Sequence, residues 1–425
     1  MGAMTKFNGY RCSLCNAEYL PGQVTYTCPK DGGNLDVVLD IDSIRQKFNP
    51  EDLASRAEDS LWRYLPLLPV AEPGGLGTPI RSAGWTPVYS LPRLAQGLGL
   101  ERLWLKDESR NPTASFKDRA SAVVVARARE IQAETVVTAS TGNAGAALAG
   151  MAAAVGQKAV IFAPKAAPPA KVAQLLIYGA RVILVDGTYD DAFDLTIKAA
   201  EEFDWYCRNT GYNPFTAEGK KTAAFEIWEW WNRINEEQRG QSSEPGGLSS
   251  LTIFIPVGDG NIISGIHKGF KDLYELGWME QMPRLIGVQA RGSAAIARAF
   301  HAGAEEIAPV SAKTIADSIS VDLPRDGVRA VRAARQTNGT YIQVSDAEIV
   351  RAIAALGSQG IFAEPAGAAA YAGLVRATEE GIVRSDDPVL VLNTGSGLKD
   401  IRAARRAVAR ATVIEPTLEA VKRLL

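Results

Sequence analysis

The sequence predicts an α/β protein with doubly wound parallel sheets and a small zinc-ribbon-like extension at the N-terminus. Two observations predict this architecture. Short apolar runs alternate with Ala-rich helical segments after residue 100, and a Cys-x-x-Cys knuckle lies far upstream of them. The length of 425 residues accommodates two or three domains. Hydrophobic residues make up 46% of the chain, so a sizeable core is expected and wholesale disorder is not.

The composition argues against nucleic acid and membrane as partners of this protein. The 46 basic and 48 acidic residues leave a formal net charge of −2, which argues against nucleic-acid binding. No run of about 18 apolar residues is present, so neither a transmembrane helix nor a signal peptide is expected. Met1 to Ala3 are expected to be a cloning remnant ahead of a native start at Met4. Four cysteines do not make a disulfide scaffold in so long a chain, and a reducing cytoplasm is expected.

The N-terminal segment has the layout of a zinc ribbon. A Cys-Ser-Leu-Cys knuckle at 12–15 is followed by a Cys-Pro-Lys-Asp-Gly-Gly turn at 28–33, with short β-type pieces at 18–20 and 24–27. Such a unit is too small to fold on a hydrophobic core alone. Asp31 stands where a complete ribbon has its fourth cysteine, and Cys₃Asp is an uncommon structural zinc site. Two alternatives stay open: a decayed ribbon held by packing, or a structural zinc ion bound by Cys12, Cys15, Cys28 and Asp31.

The rest of the chain reads as strands alternating with helices. Residues 50–115 are rich in Pro and Gly and predict an irregular connection, and residues 236–250 predict a surface loop. Buried strands are predicted at 103–106, 135–138, 159–162, 181–185, 251–255, 284–288 and 389–392. Helices are predicted between them, among others at 118–133, 144–155, 190–203 and 347–356.

Four strand-to-helix turns carry the residues that chemistry needs. Open α/β sheets bind ligands at such turns, because a helix N-terminus offers free amide donors and a positive dipole end. The first turn places Lys117 at the start of an apolar helix, among small residues and beside an aromatic ring. A partly desolvated amine there stays neutral and suits a Schiff-base nucleophile. The alternative is an ordinary solvated lysine on a helix.

The other three turns suit anions and a heteroaromatic ring. Residues 140–142 offer consecutive amides and two hydroxyls for a carboxylate, and Asn143 offers an amide donor for a phenolic oxygen. The glycines in 258–262 let backbone amides close around a phosphate. The hydroxyl of Thr394 can bond a pyridine nitrogen. Each turn has a plain alternative, an N-cap or a glycine turn, but together they meet the needs of pyridoxal phosphate and an amino acid.

In this order the boxes resemble those of the threonine synthase family, in the tryptophan-synthase-β, or fold type II, group. They are Ser-Phe-Lys-Asp-Arg at 115–119, Ser-Thr-Gly-Asn at 140–143, Gly-Asp-Gly-Asn-Ile at 258–262 and Thr-Gly-Ser-Gly-Leu-Lys-Asp at 394–400. The ribbon resembles an extension found in some members. The resemblance implies a homodimer. Each chain is expected to have two doubly wound α/β domains, with the cofactor in the cleft between them.

The resemblance also implies domain bounds and residue roles. It divides the chain into an extension at 1–45, a large cofactor domain at 46–118 and 217–425, and a small mobile substrate domain at 119–216. By the resemblance, Lys117 forms the Schiff base and serves as the proton shuttle. The ring is contacted by Phe116, Asn143 and Thr394, which meet its face, its 3′-oxygen and its nitrogen. The cofactor phosphate is held by the amides of Gly258, Asp259, Gly260, Asn261 and Ile262, and the substrate carboxylate by Ser140, Thr141 and Gly142.

The reaction of the family converts O-phosphohomoserine and water to threonine and phosphate. The candidates for holding the substrate phosphate are Lys106, Thr113, Ser115, Thr210 and Lys220. Two departures bear on the substrate. Thr216 stands where some threonine synthases have an arginine, and the box at 364–368 resembles threonine and serine dehydratases equally.

Three alternatives therefore remain beside threonine synthase. One is a dehydratase acting on serine or threonine, and another is a β-replacement enzyme such as cysteate synthase, acting on O-phosphoserine. The third is a binding or regulatory paralogue, against which the intact Lys117 argues.

Overall fold

The structure is a computed structural model that describes residues 7–238 and 251–424. The expected native start at Met4 lies outside the described residues. Residues 239–250 of the predicted surface loop also lie outside the described residues. The first three residues of that loop, 236–238, belong to the end of a helix. Among the described residues, none of the helices combines the length and the apolar character that crossing a bilayer requires.

Thirteen strands form three sheets in the described part of the chain. They are β1 (Phe7–Cys12), β2 (Glu18–Tyr19), β3 (Leu35–Leu39), β4 (Val88–Ser90), β5 (Leu103–Asp107), β6 (Thr135–Ala139), β7 (Lys158–Pro164), β8 (Arg181–Val185), β9 (Tyr206–Cys207), β10 (Thr252–Pro256), β11 (Arg284–Ala290), β12 (Thr340–Val344) and β13 (Val389–Asn393). All seven predicted strands are present, but β8 lies at the edge of its sheet and is partly exposed along its length, so its predicted burial is wrong. The sequence did not predict β4, β9 and β12, nor β1 and β3 in the ribbon.

The α-helices lie between the strands, as expected for a doubly wound fold. They are α1 (Ile41–Lys47), α2 (Pro50–Ala54), α3 (Pro92–Leu98), α4 (Lys117–Glu130), α5 (Asn143–Ala153), α6 (Pro169–Ile177), α7 (Tyr189–Glu202), α8 (Phe215–Gln238), α9 (Asn261–Glu275), α10 (Ala295–His301), α11 (Gly327–Gln336), α12 (Asp346–Gly357), α13 (Pro365–Glu379), α14 (Ile401–Ala404) and α15 (Leu418–Lys422). The four predicted helices correspond to α4, α5, α7 and α12, with ends that differ by up to three residues.

The two larger sheets are built from parallel strands, as a doubly wound fold requires. One has six strands in the order β12-β11-β10-β13-β5-β4, and all its neighbours are parallel except the edge strand β4. The other has four parallel strands in the order β8-β7-β6-β9. The four-stranded sheet lies wholly within residues 119–216, which agrees with the predicted small domain. The division into domains itself stays a prediction.

The third sheet belongs to the ribbon and is antiparallel, in the order β2-β1-β3. The predicted piece at 18–20 forms β2. The piece at 24–27 is not a strand, and only Thr27 pairs, in an isolated bridge with Asn34. Phe7 and Tyr10 of β1 pack edge-on against Phe215 of α8, so the ribbon shares the main hydrophobic core.

Helices α4 and α8 pack in close contact, and this contact forms the base of the candidate active site described below. Gly219 in α8 makes it possible, because a Cβ atom there would lie 2.1 Å from the carbonyl oxygen of Arg119 in α4. Lys220 is thereby placed beside the first turn of α4, where Lys117 begins the helix.

Candidate active site

A cavity that opens to solvent lies where strand ends of the two large sheets face each other. Ligands bind at this carboxyl edge in open α/β sheets. All nine predicted cofactor contacts lie in its wall, together with residues from the 310-helical turn Asp317–Ile319. The lining residues are Phe116, Lys117, Asn143, Thr210, Pro256, Val257, Gly258, Asp259, Gly260, Asn261, Ile262, Ser318, Ile319, Glu364, Ala366 and Thr394.

Lys117 is held in place by the exit of β13. The backbone N–H of Phe116 donates to the carbonyl of Thr394 at 2.9 Å, and that of Ser396 donates to Ala114 at 3.1 Å. These bonds fix the start of α4 against the cavity. Burial, assisted by the nearby Arg208 guanidinium, lowers the pKa of Lys117 from 10.5 to about 8. A substantial fraction of this amine is therefore neutral near physiological pH, as a nucleophile and proton carrier requires.

This lowered pKa makes a prediction for the cofactor-free protein. We expect the rate at which Lys117 captures an added aldehyde cofactor to rise with pH through a midpoint of about 8, because only the neutral amine attacks. Stopped-flow absorbance from pH 6 to 11 measures this rate. A midpoint near 10.5, the ordinary value for lysine, would contradict the expectation.

The turn between β10 and α9 forms a cradle of the kind that binds phosphate. Gly260 has a φ of +90°, and Asn261 begins α9, so amides of the first turn are free to face an anion. Neighbouring backbone closes the outer side of the turn. A Cβ on Gly258 would lie 2.8 Å from the Cα of Ile319, and one on Gly260 would lie 2.6 Å from the carbonyl oxygen of Asp326. The residues present therefore fit the phosphate of a cofactor.

Side chains beneath the cradle hold Asn261 in position. The ammonium of Lys220 and, at 3.2 Å, the hydroxyl of Thr216 donate to Oδ1 of Asn261. Its Nδ2 donates to Asp326 at 2.6 Å. Burial, with Lys117 and Arg208 adding to it, lowers the pKa of Lys220 well below its usual range. Lys220 thus contacts the cofactor cradle rather than lining the cavity itself.

Asn143 and Thr394 face the cavity on the side away from the cradle. The amide of Asn143 donates to both carboxylate oxygens of Glu364 at 3.0 Å each. Glu364 precedes α13, and burial raises the pKa of its carboxyl. No role was predicted for Glu364, although its position just before a Pro-initiated helix is a local signal of a helix N-terminus.

The predicted carboxylate loop lies at the mouth of the same cavity. Ser140, Thr141 and Gly142 precede α5, and the N–H of Gly142 donates to Oγ of Ser140 at 3.2 Å. They face an adjoining opening lined also by Lys117 and Thr210. The loop is therefore within the same site as the lysine, although its role in binding substrate stays a prediction.

Three predicted phosphate contacts are not brought to the cavity. Lys106 is buried, and its ammonium donates to Glu226 at 2.7 Å and to the carbonyl of Thr86 at 3.0 Å. Side chains alternate along a strand, so Lys106 faces α8 and not the carboxyl edge. The hydroxyl of Thr113 donates to Asp118, and Ser115 is fully buried beneath the cavity wall. Of the five candidates, Thr210 alone lines the cavity.

Sequence reasoning missed Arg208, which follows the two-residue strand β9. This arginine is fully buried. Its Nε donates to Ser121 at 3.2 Å, one terminal nitrogen donates to the hydroxyl of Thr210 at 2.5 Å, and the other has no hydrogen-bond partner among the described residues. Burial lowers the pKa of Arg208 to about 10. An arginine directly after a buried strand was the available signal, but β9 is too short to predict from sequence.

Lys117, Lys220 and Arg208 together form a group of three buried cations. The pKa of Lys117 is lowered by Arg208, and that of Lys220 by both of the others, after burial in each case. Asp259 offsets part of this charge, but burial raises the pKa of its own carboxyl. The lowered pKa values show that positive charge is destabilised at this place, and an anion bound in this half of the cavity relieves that destabilisation.

The four predicted metal ligands also come together, outside this cavity and within the ribbon. One ligand atom from each of Cys12, Cys15, Cys28 and Asp31 lies within 4.8 Å of all the others.

Fold and cavity define a pyridoxal-phosphate dependent enzyme, with a lysine, a phosphate cradle and a carboxylate loop around one cleft. The model of the family described as "Pyridoxal-phosphate dependent enzyme" matches residues 81–395. Similar solved structures include a threonine deaminase from Solanum lycopersicum, with a TM-score of 0.63, 23% identity and coverage of 80% of this chain and 92% of that one. A diaminopropionate ammonia lyase from Escherichia coli has a TM-score of 0.62 and 24% identity, with coverage of 76% and 87%. At these identities the likeness shows the fold.

Sequence comparison places the chain more narrowly. It is 38% identical over 418 residues to a threonine synthase of Methanocaldococcus jannaschii, covering 98% of both chains. It is 36% identical over 416 residues to a threonine synthase of Methanosarcina acetivorans, covering 97% of both. This chain belongs to the threonine synthase family of pyridoxal-phosphate dependent enzymes.

Proposed function

We propose that this chain converts O-phosphohomoserine and water to threonine and phosphate. One observation carries the proposal beyond family membership: the cavity around Lys117 has three separate places for an anion. They are the cradle at 258–262, the N-terminus of α5 behind 140–142, and the hydroxyl of Thr210, which accepts a hydrogen bond from the buried Arg208. The reaction brings three anionic groups to the site, one for each place: the cofactor phosphate, the substrate carboxylate and the substrate phosphate. An unphosphorylated amino acid would leave one place without a function.

The residues of the cavity divide the work of holding the cofactor. The proposed contacts are the cradle for its phosphate, Phe116 for its ring face, and Asn143 and Thr394 for its polar edge. Pyridoxal phosphate, when bound, supplies an electron sink that makes C–H bonds of an attached amino acid acidic. Phe116 is fully buried, so water is kept from that side of the cavity.

Lys117 is the proposed proton carrier. Its Nζ takes protons from carbon and returns them, and a pKa of about 8 suits both directions near neutral pH. The loop at 140–142 orients the substrate through its carboxylate, which brings the reacting carbons to Nζ. Arg208 and Thr210 hold the phosphate that leaves. Because the Thr210 hydroxyl accepts from Arg208, its own hydrogen is free to donate into the cavity.

Replacement of the Arg208–Thr210 pair tests how the substrate phosphate is held. We expect Arg208→Met and Thr210→Val each to lower kcat/KM for O-phosphohomoserine about 10- to 100-fold, mainly through KM. Each removes a charge-assisted hydrogen bond of about 1.5–3 kcal/mol. Competitive inhibition by inorganic phosphate should weaken in parallel, which a merely structural role would not produce. Ser121→Ala is the matched control, since it removes the other hydrogen bond of Arg208 and leaves Thr210 intact.

The direct test of the proposed function is an assay of the holoenzyme. Purified protein is incubated with O-phosphohomoserine, and phosphate and threonine are measured together. Equal amounts of both products are expected. If ammonia and a keto acid form instead from serine or threonine, the chain is a dehydratase. If O-phosphoserine with sulfite is the substrate that turns over, it is a β-replacement enzyme.

A cytoplasmic location and a homodimer complete the proposal. The four cysteines form no disulfide with one another, which supports a reducing compartment. The dimer rests on the family resemblance, and the mass in solution, from light scattering, tests it.

A further inference from the structure

We propose that Cys12, Cys15, Cys28 and Asp31 bind one zinc ion, and that this site holds the ribbon against the segments that position Thr210 and the phosphate cradle. The first part is independent of the proposed function. The second part rests on it, because its readout is recognition of the substrate phosphate.

Two of the six distances between the four ligand atoms match those of a zinc tetrahedron, and all six are at most 4.8 Å. With Zn–S bonds of about 2.3 Å and a Zn–O bond of about 2.0 Å, tetrahedral angles place two sulfurs about 3.8 Å apart and a sulfur and an oxygen about 3.5 Å apart. The sulfurs of Cys15 and Cys28 are 3.8 Å apart. The sulfur of Cys12 lies 3.3 and 3.6 Å from the two oxygens of Asp31. Asp31 thus occupies the fourth corner, where the sequence lacks a cysteine.

Backbone and side-chain donors support the four ligands from outside. The N–H of Leu14 lies 3.3 Å from the sulfur of Cys12, and the N–H of Gly33 donates to one Asp31 oxygen at 2.9 Å. The Tyr19 hydroxyl is 3.1 Å from the sulfur of Cys28. Such donors stabilise thiolates and orient a ligating carboxylate. Gly33 lets the chain pass this closely, since a Cβ there would lie 2.7 Å from the Cys12 sulfur.

The ribbon contacts the segment that carries Thr210. Asn34 follows the second turn of the ribbon, and its side-chain amide donates to the carbonyls of Gly211 and Arg325. Tyr26 stacks on Tyr212 with ring centroids 4.5 Å apart. The Tyr26 hydroxyl also accepts from the N–H of Cys207 at 2.9 Å. The ribbon therefore contacts Cys207, Gly211 and Tyr212, which flank Thr210 on both sides in the sequence.

A second connection runs from the ribbon to the phosphate cradle. Asp36 of β3 pairs with Arg329 at 2.6 Å, and Arg329 pairs with Asp326 at 2.6 Å. Asp326 in turn accepts from the side chain of Asn261, the first residue of α9, at 2.6 Å. A shift of the ribbon would therefore move two of the three anion places of the cavity, Thr210 and the cradle at 258–262. The strands of the ribbon are only six, two and five residues long, so metal ligation is the natural means of fixing its knuckles.

The test uses the full-length holoenzyme with its cofactor bound. Elemental analysis is expected to find one zinc ion per chain, and zinc X-ray absorption to find three sulfur ligands and one oxygen ligand. Cys15→Ser and Asp31→Ala should lose the metal. Asp31→Cys should keep it and replace the oxygen by a fourth sulfur. Cys207→Ser is the matched control, because Cys207 is the one cysteine outside the cluster and should leave the zinc content unchanged.

The coupling to the active site is read separately. Loss of zinc in Cys15→Ser is expected to raise KM for O-phosphohomoserine about 10- to 100-fold, the effect of an ångström-scale misplacement of binding groups. Wild-type protein without zinc, even after incubation with zinc chloride, would overturn the site. Full zinc loss with unchanged KM would overturn the coupling alone. Should the wild type make no threonine, the proposed function fails while the zinc measurements still decide the metal site, since they need no substrate.

Discussion

Replacing Lys117 with alanine is expected to reduce threonine formation by a factor of about 10⁴ or more. General acid–base catalysis by a positioned group accounts for about 10²- to 10⁴-fold, and loss of the covalent attachment of the cofactor adds to it. Among the described residues, no lysine besides Lys117 lines this cavity. The neighbouring amine of Lys220 is engaged by Asn261 beneath the cradle.

Visible absorbance and activity measure this change together. Lys117→Ala should lose the absorbance of the lysine-linked cofactor as well as turnover. Lys158→Ala is the control, because Lys158 is an exposed lysine at the start of β7 that pairs only with the exposed Glu134. Retention of more than a few per cent of turnover by Lys117→Ala would show that another group carries the protons.

The second large effect is expected on stability, at a buried charge cluster behind the site. Glu226 of α8 accepts from Arg119 and Lys106, and Glu108 completes the group. All four side chains are at most 3% exposed. Glu226→Gln should lower the free energy of unfolding by about 3–5 kcal/mol, because it leaves two buried cations, Arg119 and Lys106, sharing the one remaining carboxylate of the cluster, Glu108. Denaturant unfolding measures the change.

An exposed pair provides the control for this effect. Glu134→Gln removes a partner of Lys158 at the surface, and we expect a much smaller loss of stability, because solvent screens this exposed pair. Equal losses in the two variants would contradict the argument from burial.

The same cluster predicts a pH dependence of stability. Burial alone would raise the pKa of Glu226, but Arg119 and Lys106 outweigh it and lower the pKa from 4.5 to about 2. A carboxyl with a lowered folded-state pKa stabilises the fold fully above its unfolded value. The contribution of Glu226 is therefore complete above about pH 4.5 and is lost as the pH falls toward 2. Glu226→Gln should flatten this part of the acid unfolding curve.

Much of the site could be predicted because its residues sit in turns with a fixed chemical logic. Lys117, Asn143 and the glycines at 258 and 260 lie directly after strands or at helix starts, and the structure brings them to one cavity. The periodicity of short apolar runs also located seven strands, since a buried parallel strand is apolar along its whole length.

Residues whose surroundings depend on packing were predicted poorly. Lys106 was among the candidates for holding the substrate phosphate, but the alternation of side chains turns it toward α8 and Glu226. Arg208 and Glu364 were given no role, because their local signals, a two-residue strand and a Pro-initiated helix, do not show which groups these side chains meet. Their importance comes from Thr210 and Asn143, which reach them only in the folded chain.

The sequence by itself determined the fold class, the lysine and the turns that receive anions, because strand periodicity and helix-start chemistry are local properties. The tertiary structure alone decided which cations stand free to meet an anion. It neutralised Lys106 with Glu226 and left one nitrogen of Arg208 without a protein partner. It also decided that Asp31 completes a four-ligand cluster with cysteines up to 19 residues away. Charge pairing and ligand geometry depend on distances through space, and those distances are set by how the sheets and helices pack.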